Sequence, residues 1–427
     1  MFKVLVIAYY FPPMGLSGVQ RTLKFVKYMP ETNWEPTVIT SGATAYYAHD
    51  VSLMKEANEA NIRILRTEGK DPNSVLSKMG TVKMPREFIR KNLSRISKAF
   101  WIPDNKKSWS KQAYHTAEDL LKKEDFDAIF VSVPPFSPFM MAAKLTEKFD
   151  VPLFVDYRDL WHGNHFAFYP TPYHSYKHKK MEYQALKAAE RVIVVNRKIK
   201  EKILTTYKFL TFEDIIIIPH GFDPKDFENI EPYPKPHKKM ILTYSGIFYE
   251  TITPRYLLKA FKKLTLERPD IAANIELNFV GHLRKENRRL IKRLKLQEFV
   301  KDYGYLTHKE AVRRLLSSDI LWFMIGNSRN ADKISVGKLF EYIGSRKPIF
   351  AMVPEGASRT TSIEYDASFI CYPDDVEEIK NKLIEIHSRY KQNRLPKPDE
   401  EFVLKHNRRI LTERLTKQFQ FFLKTEV

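Results

Sequence analysis

The sequence predicts an α/β chain of two facing doubly wound, Rossmann-like domains with a cleft between them. Three observations carry this. Apolar runs of strand length alternate with segments of helical period along most of the chain. The alternation falls into two series of similar size, joined near the Pro/Lys stretch "EPYPKPHKK" (231–239). At 427 residues the chain is too long for one ordinary core and long enough for two.

The elements follow in order. "KVLVIAYY" (3–10) predicts a buried parallel strand, because such strands are apolar on both faces. The helix over 17–29 takes its apolar positions from Leu23, Phe25, Val26 and Met29. Strands follow at 34–42 and 61–69. Next come a strand at 126–135, a helix around 137–147, a strand at 152–161, and a strand-then-helix pair over 189–203. These elements make up domain 1–205. The second domain, 206–391, has strands expected at 214–223, 238–248, 275–283, 301–306, 318–326, 347–353 and 367–372. Its first helix, over 254–269, carries Leu257, Leu258, Phe261 and Leu264 on one face. The tail, 392–427, has a helical pattern and is expected to pack back across the first domain.

Composition narrows the class. With 43% hydrophobic and 29% charged residues the chain reads as folded and soluble. Its single cysteine, Cys371, excludes an internal disulfide and fits a reducing compartment. No Cys/His cluster points to structural zinc. The apolar run at the start is about seven residues long and meets Pro12 and Pro13, so a first strand explains it better than a leader. No run of 18 apolar residues suggests a membrane span. The net charge of +20 calls for an anionic partner: nucleic acid, a membrane surface or phosphorylated ligands. Ordinary lysine-rich surface accounts for part of it.

Several strand ends carry residues suited to an anionic ligand. Gly15 and Gly18 lie between the first strand and its helix, where glycine admits a ligand to the backbone and helix N–H groups favour anions. This is not GxGxxG, and a plain turn is the other reading. Arg21 then meets an anion or covers the helix surface. Ser245 and Gly246 close a strand and can cradle a phosphate. "VDYRDLWHGNHF" puts Arg158, Asp159, Trp161 and His162 at a strand's C-terminal end, the ligand side of an open α/β sheet. Asp159 and His162 suit hydroxyl groups of a ligand, or Asp159 pairs with Arg158; an Asp–Arg pair and a half-buried Trp are the structural alternatives.

Taken in order, "YYFPPMGLSGVQR", "VDYRDLW", "IIPHGFD", "YSG", "FVG" and "KLFEYIGSRKPIF" make the chain resemble glycosyltransferase family 4 over roughly 1–390. The block 335–350 is the clearest part. The resemblance implies the two-domain GT-B fold, with the site in the interdomain cleft. It implies a nucleotide-sugar donor held mainly by the C-terminal domain, no cofactor or metal ion, and retention of configuration. It places donor-ribose contact on Glu341, whose carboxylate can accept two hydrogen bonds from a diol. Where the family carries a glutamate eight positions earlier, this sequence has Lys333, with Asp332 beside it. Arg255 is the nearest cation after the "SG" loop, and Lys338 supplies further positive charge or pairs with Glu341 at i,i+3.

The expected catalytic set is therefore Asp159, His162, Arg255 and Lys338. The expected donor-binding set is Gly15, Gly18, Ser245, Gly246, Lys338 and Glu341. "MPREFIRKNLSRISKAFWIP" (84–103) sets Phe88, Ile89, Leu93, Ile96 and Phe100 at helical spacing among Arg86, Arg90, Lys91, Arg95 and Lys98, with Trp101 at its end. Such a helix suits an anionic membrane, or packs on its own sheet with a basic outer face. The expected activity is transfer of a sugar to a lipid-linked or polysaccharide acceptor in cell-envelope glycan synthesis. The expected location is cytoplasmic, peripheral on the inner face of the cytoplasmic membrane. The alternatives are a nucleotide-sugar epimerase or a non-catalytic nucleotide-sugar-binding protein of the same fold. A nucleic-acid binder is the reading from charge alone, and no RRM, KH or finger pattern supports it.

Overall fold

The computed structural model describes residues 1–15, 17–44, 46, 49–69, 87–164, 167–235 and 238–423. It forms two compact units, Met1–Pro219 with Arg408–Val427, and His220–Asn407. Among the described residues no helix is long and apolar enough to cross a membrane.

The N-terminal unit holds seven strands: β1 (Phe2–Ile7), β2 (Trp34–Ser41), β3 (Arg63–Thr67), β4 (Ala128–Val133), β5 (Leu153–Tyr157), β6 (Arg191–Val194) and β7 (Ile215–Ile217). Their order is β3-β2-β1-β4-β5-β6-β7, and the pairs are parallel. Helices cover the sheet, so β4 and β5 are buried at every position and read as unbroken apolar runs. The order reverses between β1 and β4. At such a switch point loops diverge and leave a crevice beyond the strand ends.

The sequence assigns the strand at 214–223 to the second series and changes domain at 205/206. β7 instead closes the first sheet, with Val192, Ile193 and Val194 opposite Ile215, Ile216 and Ile217. A run of isoleucines suits either sheet equally; pairing decides its side, and pairing is not visible in composition.

The C-terminal unit holds β8 (Met240–Ser245), β9 (Ile275–Val280), β10 (Val300–Asp302), β11 (Ile320–Met324), β12 (Ile349–Met352) and β13 (Ser368–Cys371). Their order is β10-β9-β8-β11-β12-β13, again with parallel pairs and a reversal, here between β8 and β11.

Beyond residue 392 the chain forms the helices Glu400–Lys405 and Arg408–Gln420, and the second returns to the N-terminal unit. It buries Leu411, Leu415 and Phe419. The Phe419 ring lies 4.6 Å from Phe154, 5.1 Å from Trp34 and 5.7 Å from Phe130. The first core is therefore completed by residues from the far end of the sequence.

Arg21 does not cover the helix surface, and the anion it meets is the protein's own Asp156. It is fully buried. Its Nη2 and Nε donate to Asp156 at 2.7 and 3.0 Å, and Ser132 Oγ donates to the same carboxylate at 3.2 Å. Its remaining N–H groups reach the Ile218 and Pro219 carbonyls at 2.9 and 2.8 Å. The pair thus ties the helix Ser17–Tyr28, β4, β5 and the segment leaving β7.

Removing one member strands the other charge in the core. Asp156→Ala is expected to destabilise the N-terminal unit by about 3–5 kcal/mol, and the apolar pair Arg21→Met with Asp156→Leu to recover much of that loss. Urea unfolding followed by tryptophan fluorescence checks this, because Trp34, Trp101, Trp109 and Trp161 all belong to that unit. An unchanged midpoint in Asp156→Ala would refute it.

Candidate functional site

In the C-terminal unit four of the expected residues come together at the β8/β11 switch point. β8 ends at Ser245, and Gly246 follows with φ +133°, in the region that favours glycine. A side chain at Gly246 would stand 2.7 Å from Lys338 Nζ. Gly281, at φ +113° after β9, touches the same turn, since a side chain there would overlap the Gly246 carbonyl. Two strand ends therefore meet backbone to backbone, with Lys338 the side chain nearest Gly246 and Tyr244 next to it.

Lys338 stands in the first turn of the helix Gly337–Gly344. Its Nζ donates to the Tyr244 hydroxyl and sits 3.9 Å from that ring's centroid. Burial pushes its pKa down to about 7, against an opposing pull from Glu341. One turn on, Tyr342 is fully buried. Its hydroxyl accepts from the Ser245 N–H at 2.8 Å and donates to the Trp322 carbonyl at 3.2 Å. Glu341 is half-buried, with Oε1 4.0 Å from His308 Nδ1, and His308 Nε2 lies 3.1 Å from Asp226. A lysine, a carboxylate and a glycine turn can hold an anion next to a polyol.

Arg255 does not join this group. It is exposed, and no side-chain contact links it to the others among the described residues. Lys333 Nζ pairs with Asp332 at 2.9 and 3.0 Å and reaches Asn330 Oδ1 at 3.2 Å. Asp332 is thereby engaged by its neighbour.

In the N-terminal unit the expected residues surround the β1/β4 switch point. The loop bearing Gly15 is anchored from behind, as Asp50 N–H and Arg66 Nη2 donate to the Pro13 and Pro12 carbonyls at 2.8 and 2.6 Å. Arg158 spans the switch point, donating to the carbonyls of Gly18, Pro134 and, at 3.3 Å, Val133. A side chain at Gly18 would stand 2.9 Å from Arg158 Nη1. Glycine at 18 thus makes room for an arginine of the protein itself.

Asp159 differs. Burial raises its pKa to about 6, although Arg158 pulls the other way. Among the described residues its carboxylate has no hydrogen bond, so its acceptor capacity is unspent.

His162 is drawn into a buried network. Its N–H donates to Glu182 at 2.9 Å, its Nε2 lies 3.0 Å from Ser175 Oγ, and its ring stacks on Tyr169 at 5.4 Å. Burial, with Lys179 and Lys202 nearby, lowers its pKa. Glu182 also accepts from Tyr207 at 2.7 Å and Tyr157 at 3.2 Å, and burial pushes it up to about 7. Trp161 donates to His178 at 2.9 Å.

Sequence reasoning missed Tyr244, Tyr342, His308 and Glu182. Tyr342 had a signal, since it follows Glu341 and stands four residues after Lys338. Glu182 had none: it is one acid in a lysine-rich helix.

The fold is a two-domain α/β fold of the GT-B type, with Ser245, Gly246, Lys338 and Glu341 grouped at the end of its second sheet. Residues 18–226 match the family model Glycosyltransferase Family 4. Among solved structures, a glycosyltransferase from Rickettsia africae matches with TM-score 0.66 and 16% identity, covering 100% of this chain and 99% of that one. HepE of Anabaena in complex with UDP matches with TM-score 0.64 and 12% identity, over 99% and 100% of the two chains. WaaG, a glycosyltransferase involved in lipopolysaccharide biosynthesis, matches with TM-score 0.60 and 11% identity over the same shares. No curated protein matches.

Lys338 is neutral above its pKa and charged below it. In lysine-labelled protein followed by 15Nζ NMR, one signal is expected to titrate between about pH 6 and 8 and to be missing from Lys338→Met. A set of lysines all titrating near pH 10 would contradict the buried geometry.

Proposed function

We propose that this protein is a retaining, metal-independent glycosyltransferase. It moves a sugar from a nucleotide-sugar donor to a lipid-linked or polysaccharide acceptor in cell-envelope glycan synthesis. The observation that carries this reading is the grouping of Ser245, Gly246, Lys338 and Glu341 at the β8/β11 switch point. The family match, and the UDP bound by a protein of the same fold, support a nucleotide-sugar donor. The acceptor class rests on the fold shared with an enzyme of lipopolysaccharide biosynthesis.

The chemistry follows from charge. Breaking the bond between sugar and diphosphate builds negative charge on the departing phosphate, and a cation preorganised in a dry site stabilises it. Lys338 is that cation. Resting on Tyr244 it is easily deprotonated; a diphosphate beside it restores the proton and holds it. The turn at Gly246, bare of side chain, lets the phosphate approach the backbone. Glu341 accepts the ribose hydroxyls. Asp159, with its unspent acceptor capacity, orients the acceptor hydroxyl in the N-terminal unit, and His162 shapes the loop beside it. No metal ion is needed where lysine and backbone N–H groups meet the charge.

One observation favours a second reading, a non-catalytic nucleotide-sugar-binding protein. The position where the resemblance implies a sugar-contacting glutamate holds Lys333, closed on Asp332.

The membrane-facing part of the proposal rests on the helix Glu87–Phe100, where Phe88 and Phe100 are 76% and 78% exposed and Leu93 and Ile96 are also exposed. Residues 84–86 of the basic segment lie outside the described residues, as do the side chains of Ile89, Arg90 and Lys91.

Calorimetry with UDP-, GDP-, ADP-, CMP- and dTDP-sugars, with and without chelator, tests the donor. One sugar nucleotide is expected to bind, equally well in chelator. Glu341→Ala should weaken it about 10- to 100-fold, the loss of hydrogen bonds to a charged group, with the melting temperature kept. Unchanged affinity in a folded variant would remove Glu341 from the ribose. Donor affinity is also expected to fall as pH rises through about 7, where Lys338 loses its proton, and Lys338→Met to abolish that slope. On the acceptor side, Asp159→Asn should lower transfer by about 10²-fold or more while leaving donor affinity intact. Equal transfer rates would assign Asp159 a structural role.

A further inference from the structure

The helix Pro172–Lys187 has an outer face that the proposed function does not use. Its inner side carries His178, Glu182, Ala185 and Leu186. On the opposite side Tyr173, Tyr176, Lys180, Tyr183 and Lys187 recur every three or four residues, which places them on one stripe. All five are exposed, Tyr173 and Tyr176 at 61% each. Lys177 and Lys179 flank the stripe and are exposed as well. The helix contains one acid, Glu182, and it is buried. Among the described residues none of Lys177, Lys179, Lys180 and Lys187 has an ion pair. The stripe is therefore aromatic, cationic and uncompensated.

It also continues an apolar surface. His174 Nε2 lies 3.2 Å from the Ala99 carbonyl, so the first turn of this helix abuts the last turn of Glu87–Phe100. The Arg95 guanidinium lies 5.4 Å from the Phe168 ring. Phe100 and Trp101, whose rings lie 6.3 Å apart, are exposed, as are Phe168 and Tyr173.

We infer that the Tyr/Lys stripe of Pro172–Lys187 binds an anionic lipid bilayer. Tyrosine rings suit the headgroup level, with an apolar body and a polar tip. Lysine stems lie along apolar surface while their ammonium groups reach lipid phosphates. A polynucleotide or an acidic peptide would satisfy the lysines and leave Phe88, Leu93, Ile96 and Phe100 in water; a bilayer covers both. The inference extends the membrane contact proposed for Glu87–Phe100, and its test separates the two.

The full chain is co-sedimented with phosphatidylcholine vesicles and with vesicles containing about one-third phosphatidylglycerol. Wild-type protein is expected on the anionic vesicles, released in part by salt. Lys177→Gln with Lys180→Gln should weaken that binding about 10- to 30-fold, since each lysine near the surface is worth about a fivefold change. Tyr173→Ser with Tyr176→Ser should lower the part that resists salt. Lys285→Gln with Lys292→Gln, exposed lysines of the other unit, removes the same charge and should bind as wild type. Near-UV circular dichroism and donor affinity verify folding in each. Wild-type binding by both stripe variants, with loss only in Phe88→Ser/Phe100→Ser, would overturn the stripe and leave the first helix as the membrane contact. Equal loss in the Lys285/Lys292 variant would overturn it in favour of net charge. No wild-type binding to either vesicle would overturn both. Binding to polyuridylate that the stripe variants alone lose, without vesicle binding, would assign the face to nucleic acid instead.

Discussion

The N-terminal unit is organised around one buried ion pair. Arg21 and Asp156 come from a helix and a strand 135 residues apart in sequence, and neither is touched by water. Taking two charges out of water costs more than their attraction alone returns. The structure meets that cost by leaving no polar atom of the pair idle: Ser132 adds a donor to the carboxylate, and two main-chain carbonyls take the other guanidinium N–H groups. An apolar core tolerates a strand that slides or tilts; this cluster does not, because each misplaced partner leaves a desolvated charge. The alignment of β4, β5 and the first helix is thus fixed by geometry rather than by area. Arg158 repeats the device one layer nearer the strand ends, clamping the loops after β1 and β4 through their carbonyls.

The two units solve the same problem at their switch points differently. The first fills its glycine loop with its own arginine, so the space Gly18 creates is used inside the protein. The second also lays a cation of its own over the glycine, Lys338 against Gly246, but that lysine rests on a tyrosine. An arginine bonded to three carbonyls is committed. A lysine held by one phenol at a pKa near 7 is not, and can change partner and charge when an anion arrives. That contrast, rather than the glycines themselves, separates the structural loop from the one proposed to take a ligand.

The strands were legible, because parallel strands buried on both faces leave unbroken apolar runs, whereas helices such as Lys107–Leu121 and Pro172–Lys187 were not read. The pairing of Lys338 with the Ser245–Gly246 turn could be anticipated from motif order. Arg21 could not be read correctly: a cation behind a glycine loop looks like an anion ligand until Asp156 is placed beside it. β7 was assigned to the wrong series because three isoleucines carry no information about which sheet they join. Glu182 was invisible because its role depends on Tyr157 and Tyr207, brought to it by other elements. Local pattern thus gave the elements, and it failed wherever a residue's meaning lay in a distant partner.

The return of Arg408–Gln420 has a consequence for the order of events on the ribosome. The chain leaves the first unit after Pro219 and re-enters it at Arg408, with Phe222 and Asn407 bridged side by side. The whole second unit is therefore an insertion within the first. A nascent chain can complete the inserted unit while its surroundings are still unfinished, since everything from His220 to Asn407 has already emerged. The enclosing unit must wait, with Trp34, Phe130 and Phe154 uncovered, until Phe419 is made. A segment made after the whole inserted unit thus closes the core begun before it, and a chain cut short before Arg408 would yield a finished inner module inside an open shell.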